Sequence, residues 1–164
     1  MLSEQLPDLD GGELLDLVHA AELHDIGKLA VPAQILRKPG PLDEEEWAVM
    51  RRHTLLGESI LGAASALGSV ATLVRSSHER YDGAGYPDGL AGEAIPLASR
   101  IVLVCDAFDA MTSARPYQGV LEQQAALAEL RRGAGSQLDP LVVEAFCAEL
   151  AAQRAPLPAA VAAA

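Results

Sequence analysis

The stretch Leu23-His24-Asp25-Ile26-Gly27-Lys28 places an imidazole beside a carboxylate, with an ammonium group three residues after the carboxylate. Apolar residues before it recur at helical spacing, so the sequence predicts a helix over 14–26 that Gly27 ends. Adjacent helical side chains point about 100° apart, yet at a helix end His24 and Asp25 can converge on one ion. Nitrogen and oxygen ligands together suit zinc, iron or manganese. The alternative is a capping histidine followed by an aspartate in solvent.

The composition is that of one acidic, aliphatic domain. Of the 164 residues, 50% are hydrophobic and only 4% are aromatic, so aliphatic side chains must form the core, which favours helices. The net charge of −11 argues against binding to a DNA or RNA polymer, which needs a basic face. Neither a membrane span nor a signal peptide is visible in the sequence. We therefore expect a cytoplasmic protein in which Cys105 and Cys147 are reduced.

The order of apolar and turn-forming residues predicts an all-α fold. After the first helix comes an extended connector over 30–42, with Ile35 and Leu36 held against the core. Further helices are expected over 43–60, where Asp43 has the spacing of an N-cap, and over 66–78, 97–111, 118–132 and 140–152. A long loop over 80–97 contains too many glycines and prolines for a helix. The Ala/Pro-rich tail over 153–164 is expected to be flexible.

Three more residues can complete a metal site with His24 and Asp25. His53 lies on the apolar face of the helix predicted over 43–60, and His78 follows the helix after it. Asp106 interrupts a very apolar helix, where a carboxylate is costly unless it is paired or binds a metal. A lone histidine on an apolar face is more often a core residue, but three imidazoles and two carboxylates on successive helices favour a metal site.

Two ions bridged by one carboxylate would need about this supply of ligands, and we expect Asp25 to be the bridge. Two metals about 3.5–4 Å apart activate a water molecule and hold phosphoryl oxygens during displacement at phosphorus. Such a site would cleave a phosphoester or phosphodiester, with Lys28 neutralising a phosphate oxygen. The alternative for Asp106 is a salt bridge to Arg100 or Arg115.

Taken in order, the motifs of the chain resemble those of the HD-GYP family, the helical phosphodiesterases of the HD superfamily of metal-dependent phosphohydrolases. The resemblance runs from about residue 20 to residue 146. It implies a helical bundle of the HD phosphohydrolase type with a long Gly-Tyr-Pro loop, as a single domain over 1–152. The motifs that carry it are His24-Asp25-Ile26-Gly27-Lys28, Lys38-Pro39-Gly40, His53 before Gly57, His78-Glu79-Arg80-Tyr81-Asp82-Gly83-Ala84-Gly85-Tyr86-Pro87, Ile95-Pro96-Leu97, Asp106-Ala107-Phe108-Asp109-Ala110-Met111-Thr112, Arg115-Pro116-Tyr117 and Gly135-Ser136-Gln137-Leu138-Asp139-Pro140.

The resemblance implies hydrolysis of cyclic di-GMP to pGpG or GMP with two divalent ions, iron or manganese being preferred. The metal ligands it implies are His24, Asp25, His53, His78 and Asp106. Asp25 and Lys28 would be catalytic. The substrate would contact Lys28, Arg80, Gly85, Tyr86, Pro87 and Arg115.

Three features depart from the family pattern. Ser77 stands where members usually have a first histidine before the glutamate. Only 23 residues precede His24, so the helix that carries further ligands in the family has no match, and the domain looks N-terminally shortened. Gln118 stands where a second basic residue is common. The alternative is therefore a degenerate HD-GYP module that binds a nucleotide or a partner protein without turnover, and a homodimer or signalling partner could cover the exposed apolar surface.

Overall fold

The structure is a computed structural model that describes residues 9–113 and 120–153, and no β-strand occurs among them. The all-α prediction is confirmed. None of the described helices is long and apolar enough to cross a membrane. Arg115, Gln118 and residues 154–164 of the tail lie outside the described ranges. The helices are α1 (Gly11–Leu23), α2 (Ala33–Leu36), α3 (Glu44–Arg51), α4 (His53–Gly62), α5 (Gly68–Arg75), α6 (Leu97–Thr112), α7 (Gln123–Gly133) and α8 (Pro140–Gln153), with 3₁₀ turns at Ile26–Ala30, Ser65–Leu67 and Gly92–Ala94.

Helix α1 begins and ends about three residues earlier than predicted. Asp10 caps it, accepting bonds from the amides of Gly12 and Glu13, while the Glu13 carboxylate accepts from the Asp10 amide. After Leu23 the chain turns into the 3₁₀ segment, so Gly27 lies inside that segment and does not end the helix. The predicted apolar stripe is also partly wrong. Ala20 is buried, whereas Leu14 and Val18 are about half exposed, at 53% and 47%.

The helix predicted over 43–60 is two helices, which meet at Arg52. The 3₁₀ segment packs directly on the first turn of α4, since a Cβ added to Gly27 would lie 1.9 Å from the carbonyl oxygen of His53. No proline or glycine marks the break in the sequence. The connector was also predicted imperfectly: it contains the short helix α2, and Leu36 is 43% exposed and not held in the core.

Helix α6 is the centre of the fold because it packs on two hydrophobic clusters. On one side Val102 joins a cluster formed with α1, α4 and α5; on the other side Leu103 and Val104 pack against α7 and α8. Arg100 of α6 bonds the buried carboxylate of Asp139, which also caps α8. The helices of the first cluster bring their ends together on one side of α6, and the predicted site residues lie there.

Candidate metal centre

The five predicted metal ligands come from the ends of helices that share the first cluster. His24 follows the last residue of α1, Asp25 comes next, and His53 is the first residue of α4. His78 lies in the turn after α5, and Asp106 lies on α6. Four separate elements therefore deliver side chains to one place, as the sequence predicted.

Three of the five form a compact group. Oδ1 of Asp25 lies 3.5 Å from Nε2 of His53 and 3.9 Å from Nε2 of His78. The ligand atoms of these three residues lie within 4.8 Å of one another. All three atoms are buried, and within the described residues none has a hydrogen-bond partner. Buried polar atoms are normally paired, so a convergent unpaired set of two nitrogens and one oxygen fits a divalent cation.

The remaining two ligands lie on the other side of the same carboxylate. Oδ2 of Asp25 is 3.6 Å from Nε2 of His24, and that nitrogen is 3.8 Å from Oδ1 of Asp106. Nζ of Lys28 bonds the same Oδ2 at 2.6 Å. The carboxylate of Asp25 thus presents one oxygen to each half of the set. Asp106 does not pair with Arg100, whose partner is Asp139.

Two of the imidazoles are oriented by the turn that precedes them. Nδ1 of His24 lies 2.8 Å from the carbonyl oxygen of Ala21, and Nδ1 of His53 lies 2.8 Å from that of Met50. A proton on Nδ1 that bonds this oxygen leaves a lone pair on Nε2, the atom that faces Asp25. Metal-binding histidines are commonly held in this way.

The protonation states also suit a metal site. Burial would raise the pKa of Asp25, but contacts with His78 and Lys28 outweigh it and hold this pKa well below its usual range. Burial lowers the pKa of His53, and the charge of Lys28 acts in the same direction. At neutral pH the site therefore combines an ionised carboxylate with a neutral imidazole, the forms that bind metals.

The loop after His78 covers one side of the site. The ring of Tyr86 stacks on that of His78, with centroids 5.4 Å apart and an angle of 18° between the planes. Burial and the charges of Asp25 and Asp106 raise the pKa of Tyr86 to about 12, so the phenol remains protonated. Gly85 permits this arrangement, because a Cβ there would lie 2.2 Å from the backbone nitrogen of Arg80.

Glu79 anchors this loop, a role that the sequence analysis did not assign. Its carboxylate is 1% exposed and accepts hydrogen bonds from the backbone amides of Asp88, Gly89 and Leu90, at 2.6, 3.1 and 3.1 Å. The sequence signal was available, since a glutamate directly after a histidine of the predicted ligand set and before a glycine-rich loop has backbone amides within reach. Glu79 is structural and takes no part in the metal set.

The predicted substrate residues are only partly brought together. A groove of about 350 Å³ runs from His78 along the loop, and Arg80, Gly85 and Tyr86 line it. The guanidinium of Arg80 already makes two hydrogen bonds to the carboxylate of Asp82. Pro87 follows a cis peptide bond and does not line the groove. Arg115 lies outside the described residues.

Ser77 adds no donor atom to the five predicted metal ligands. Its side chain is 2% exposed, and its hydroxyl donates a hydrogen bond to the carbonyl oxygen of Val74 at 2.8 Å. The sequence analysis also assigned no binding role to Trp47 and Arg51, which line the groove beside His78. Their spacing of four residues on α3 puts them on one face, a signal that could have been noticed.

The family model of the HD domain matches residues 3–142 of the chain. The chain belongs to the HD domain family. This confirms the family resemblance of the sequence, and within the described residues the Asp25, His53 and His78 group of this HD domain could hold a metal ion.

Relatives of the HD domain chain are named as cyclic-dinucleotide phosphodiesterases. This chain is 48% identical over 148 residues to the cyclic di-GMP phosphodiesterase response regulator RpfG of Xanthomonas campestris, and the match covers 89% of this chain and 39% of that protein. It is 44% identical over 133 residues to a cyclic di-GMP phosphodiesterase of Thermotoga maritima, covering 80% and 36%. It is also 39% identical over 140 residues to the 3′3′-cGAMP-specific phosphodiesterase 3 of Vibrio cholerae, covering 85% and 30%.

A solved structure supports the same fold. The chain matches the crystal structure of the cyclic GMP-AMP-specific phosphodiesterase V-cGAP3 of V. cholerae with a TM-score of 0.69, covering 92% of this chain and 41% of that chain. At 22% identity this match concerns the fold alone. This chain spans about two fifths or less of the length of each of these relatives and of the matched structure.

Proposed function

We propose that the chain is a metal-dependent phosphodiesterase that hydrolyses cyclic di-GMP to pGpG or GMP. The observation that carries this proposal is the convergence of three buried, unpartnered ligand atoms, from Asp25, His53 and His78. An HD domain with this set, whose relatives include several named cyclic di-GMP phosphodiesterases, is best explained as one of them.

The proposed ligands fall into two groups that share Asp25. His53 and His78 face one of its oxygens, and His24, with Asp106 beside it, faces the other. We assign two divalent ions to these groups. The imidazole and carboxylate donors suit zinc, iron or manganese, and the family resemblance favours iron or manganese. When bound, the ions would supply Lewis acidity for a water molecule and positive charge for the phosphoryl oxygens.

Lys28 has two roles in this proposal. In the structure its ammonium bonds Oδ2 of Asp25 and holds the pKa of that carboxyl low. Its side chain is 38% exposed, so it can turn towards solvent and donate to a phosphate oxygen of the substrate. A single ammonium therefore keeps the ligand ionised and then neutralises charge that develops on the phosphoryl group.

The Gly-Tyr-Pro loop positions the substrate. Tyr86 keeps its phenolic proton over the working pH range and holds the ring of His78 by stacking. Gly85 lets the loop backbone approach closely. By the family resemblance, Pro87 and Arg115 complete the substrate contacts, and Arg80 joins them if the substrate phosphate competes with Asp82 for its guanidinium.

A second candidate is an HD-GYP module that binds a cyclic dinucleotide or a partner protein without turnover. Ser77 favours it, because its hydroxyl is used by the backbone and the ligand set has one donor fewer than the family pattern. The same family includes relatives named for 3′3′-cGAMP, which is the competing substrate to test.

The proposal also covers the domain bounds, the cellular location and the partners of the chain. We assign residues 1–152 to one domain. The proposed location is the cytoplasm, where a bacterial second messenger is degraded and thiols such as Cys105 and Cys147 stay reduced. A homodimer or a signalling partner would cover the exposed apolar residues of α1, among them Leu14 and Leu15.

The test is turnover by protein reconstituted anaerobically with Fe(II) or Mn(II), with cyclic di-GMP and 3′3′-cGAMP in parallel and products separated by chromatography. We expect metal-dependent hydrolysis of cyclic di-GMP that Asp25→Ala abolishes. Asp109→Ala, which removes an exposed carboxylate from the same helix as Asp106, is the control and should retain activity. Nucleotide binding without hydrolysis, at one bound ion or fewer, would favour the second candidate.

A further inference from the structure

The groove beside the metal set has an aromatic and cationic wall that the proposed chemistry does not use. Trp47 and Arg51 stand one turn apart on α3. The guanidinium carbon of Arg51 lies 5.9 Å from the ring centroid of Trp47 and 5.8 Å from that of Tyr86. Arg51 therefore links an exposed indole to the loop that covers His78.

The wall is available to a ligand. Trp47 is 43% exposed, although its apolar ring would normally be covered. Within the described residues Arg51 makes no ion pair, whereas Arg80 across the groove is held by Asp82. The guanidinium of Arg51 is therefore not held by a carboxylate among the described residues, and contact with two rings holds it in position.

We propose that Trp47 and Arg51 form the subsite for a guanine base of the substrate, and this inference rests on the proposed function. Trp47 offers a face on which a base can stack, an interaction that tolerates any base. Arg51 supplies the selectivity, because a guanidinium donates two bonds to O6 and N7 of guanine, whereas adenine has an amino group in place of O6. The groove, at about 350 Å³, lies within the size range of small-molecule binding pockets.

His78 connects this base subsite to the proposed metal ligands. His78 lines the groove and also presents Nε2 to Asp25. A base held on Trp47 would therefore leave its sugar and phosphate next to the metal set. In this arrangement Trp47 and Arg51 bind and position the substrate but do not take part in bond cleavage.

The chain offers a direct probe, since Trp47 is its only tryptophan. The first experiment titrates the Mn(II)-loaded protein with GMP and with AMP while tryptophan fluorescence is recorded. We expect saturable quenching by GMP and binding of AMP that is weaker by about tenfold. Arg51→Ala should remove this difference, and Arg52→Ala, which removes the neighbouring exposed charge, should keep it.

Two further variants separate base recognition from charge and from folding. Arg51→Lys keeps the charge but loses the two-pronged donor, so we expect it not to restore the preference for GMP. Trp47→Ala should raise KM for cyclic di-GMP by about tenfold or more through lost stacking, with kcat nearly unchanged, while Trp47→Phe keeps most of the affinity.

The outcomes distinguish this inference from the proposed function. Quenching by GMP that depends on Arg51 supports the subsite even if the protein hydrolyses nothing. Hydrolysis of cyclic di-GMP with no quenching, or with KM unchanged in Trp47→Ala and Arg51→Ala, overturns the subsite and leaves the phosphodiesterase standing. Full rescue by Arg51→Lys overturns the reading of guanine by Arg51.

Discussion

Among the glycines of the described residues, Gly27 makes the closest backbone approach to a neighbouring element, and Gly27→Ala would disrupt it. A Cβ at this position would lie 1.9 Å from the carbonyl oxygen of His53 and 2.6 Å from the amide nitrogen of Gly57, whereas real Cβ atoms essentially never come closer than 3.0 Å. The 3₁₀ segment and α4 would have to separate by more than 1 Å. Overpacking of this kind costs about 1–3 kcal/mol of the free energy of unfolding.

The displacement would also open the metal site, because Asp25 lies two residues before Gly27 and His53 is the residue contacted. Oδ1 of Asp25 is 3.5 Å from Nε2 of His53, and metal sites tolerate deviations of only about 0.2 Å in ligand distances. We expect the affinity for Mn(II) to fall by about 10- to 100-fold, the loss typical of disturbed support around metal ligands.

The assay has two parts and a matched control. Urea unfolding in the presence of a chelator gives the free energy of unfolding, and calorimetric titration with Mn(II) gives the affinity. The control is Gly62→Ala at the end of α4, where an added Cβ meets nothing within 4 Å, so neither quantity should fall. If Gly27→Ala matched Gly62→Ala in both measurements, the proposed coupling between this backbone contact and the metal ligands would be refuted.

Two other changes test the supports of the site. Glu79→Gln replaces a buried carboxylate that accepts hydrogen bonds from three backbone amides of the loop at 88–90. The change should lower the free energy of unfolding by about 1.5–3 kcal/mol and speed hydrogen exchange at those amides. Glu93→Gln, at an exposed position of the same loop, should do neither. Because burial lowers the pKa of His53, the unfolded chain binds a proton near pH 6.5 that the metal-free folded protein does not bind, so stability should fall as the pH drops below about 6.5. His53→Gln should flatten this fall in urea titrations at several pH values, while His19→Gln, outside the site, should leave it as steep as in the wild type.

Much of the site was predictable because its residues are of unusual type for their surroundings. An imidazole–carboxylate pair at a helix end and Asp106 within an apolar helix both indicated metal ligands, and the structure brings them to one place. The sequence could not predict the order of the contacts. Asp25, His53 and His78 form the compact group, while Lys28 bonds the second oxygen of Asp25.

Some predictions failed where tertiary contacts override local pattern. The helix over 43–60 breaks at Arg52 although the apolar spacing continues, because α4 packs against the backbone of Gly27. The stripe that includes Leu14 and Val18 is half exposed, since the core takes Ala20 from another face of α1. Periodicity tells that a helix has an apolar face but not which neighbour will cover it.

The sequence alone determined that this protein is helical, that its histidines and aspartates follow the order of an HD domain, and that a glycine-rich loop follows His78. These features depend on residue type and on spacing along the chain. The tertiary structure alone decided that Glu79 anchors that loop, that Arg100 pairs with Asp139 rather than Asp106, and that Arg51 lies between Trp47 and Tyr86. Such contacts join residues from different elements, and their distances are fixed only when α6 packs against both of its hydrophobic clusters.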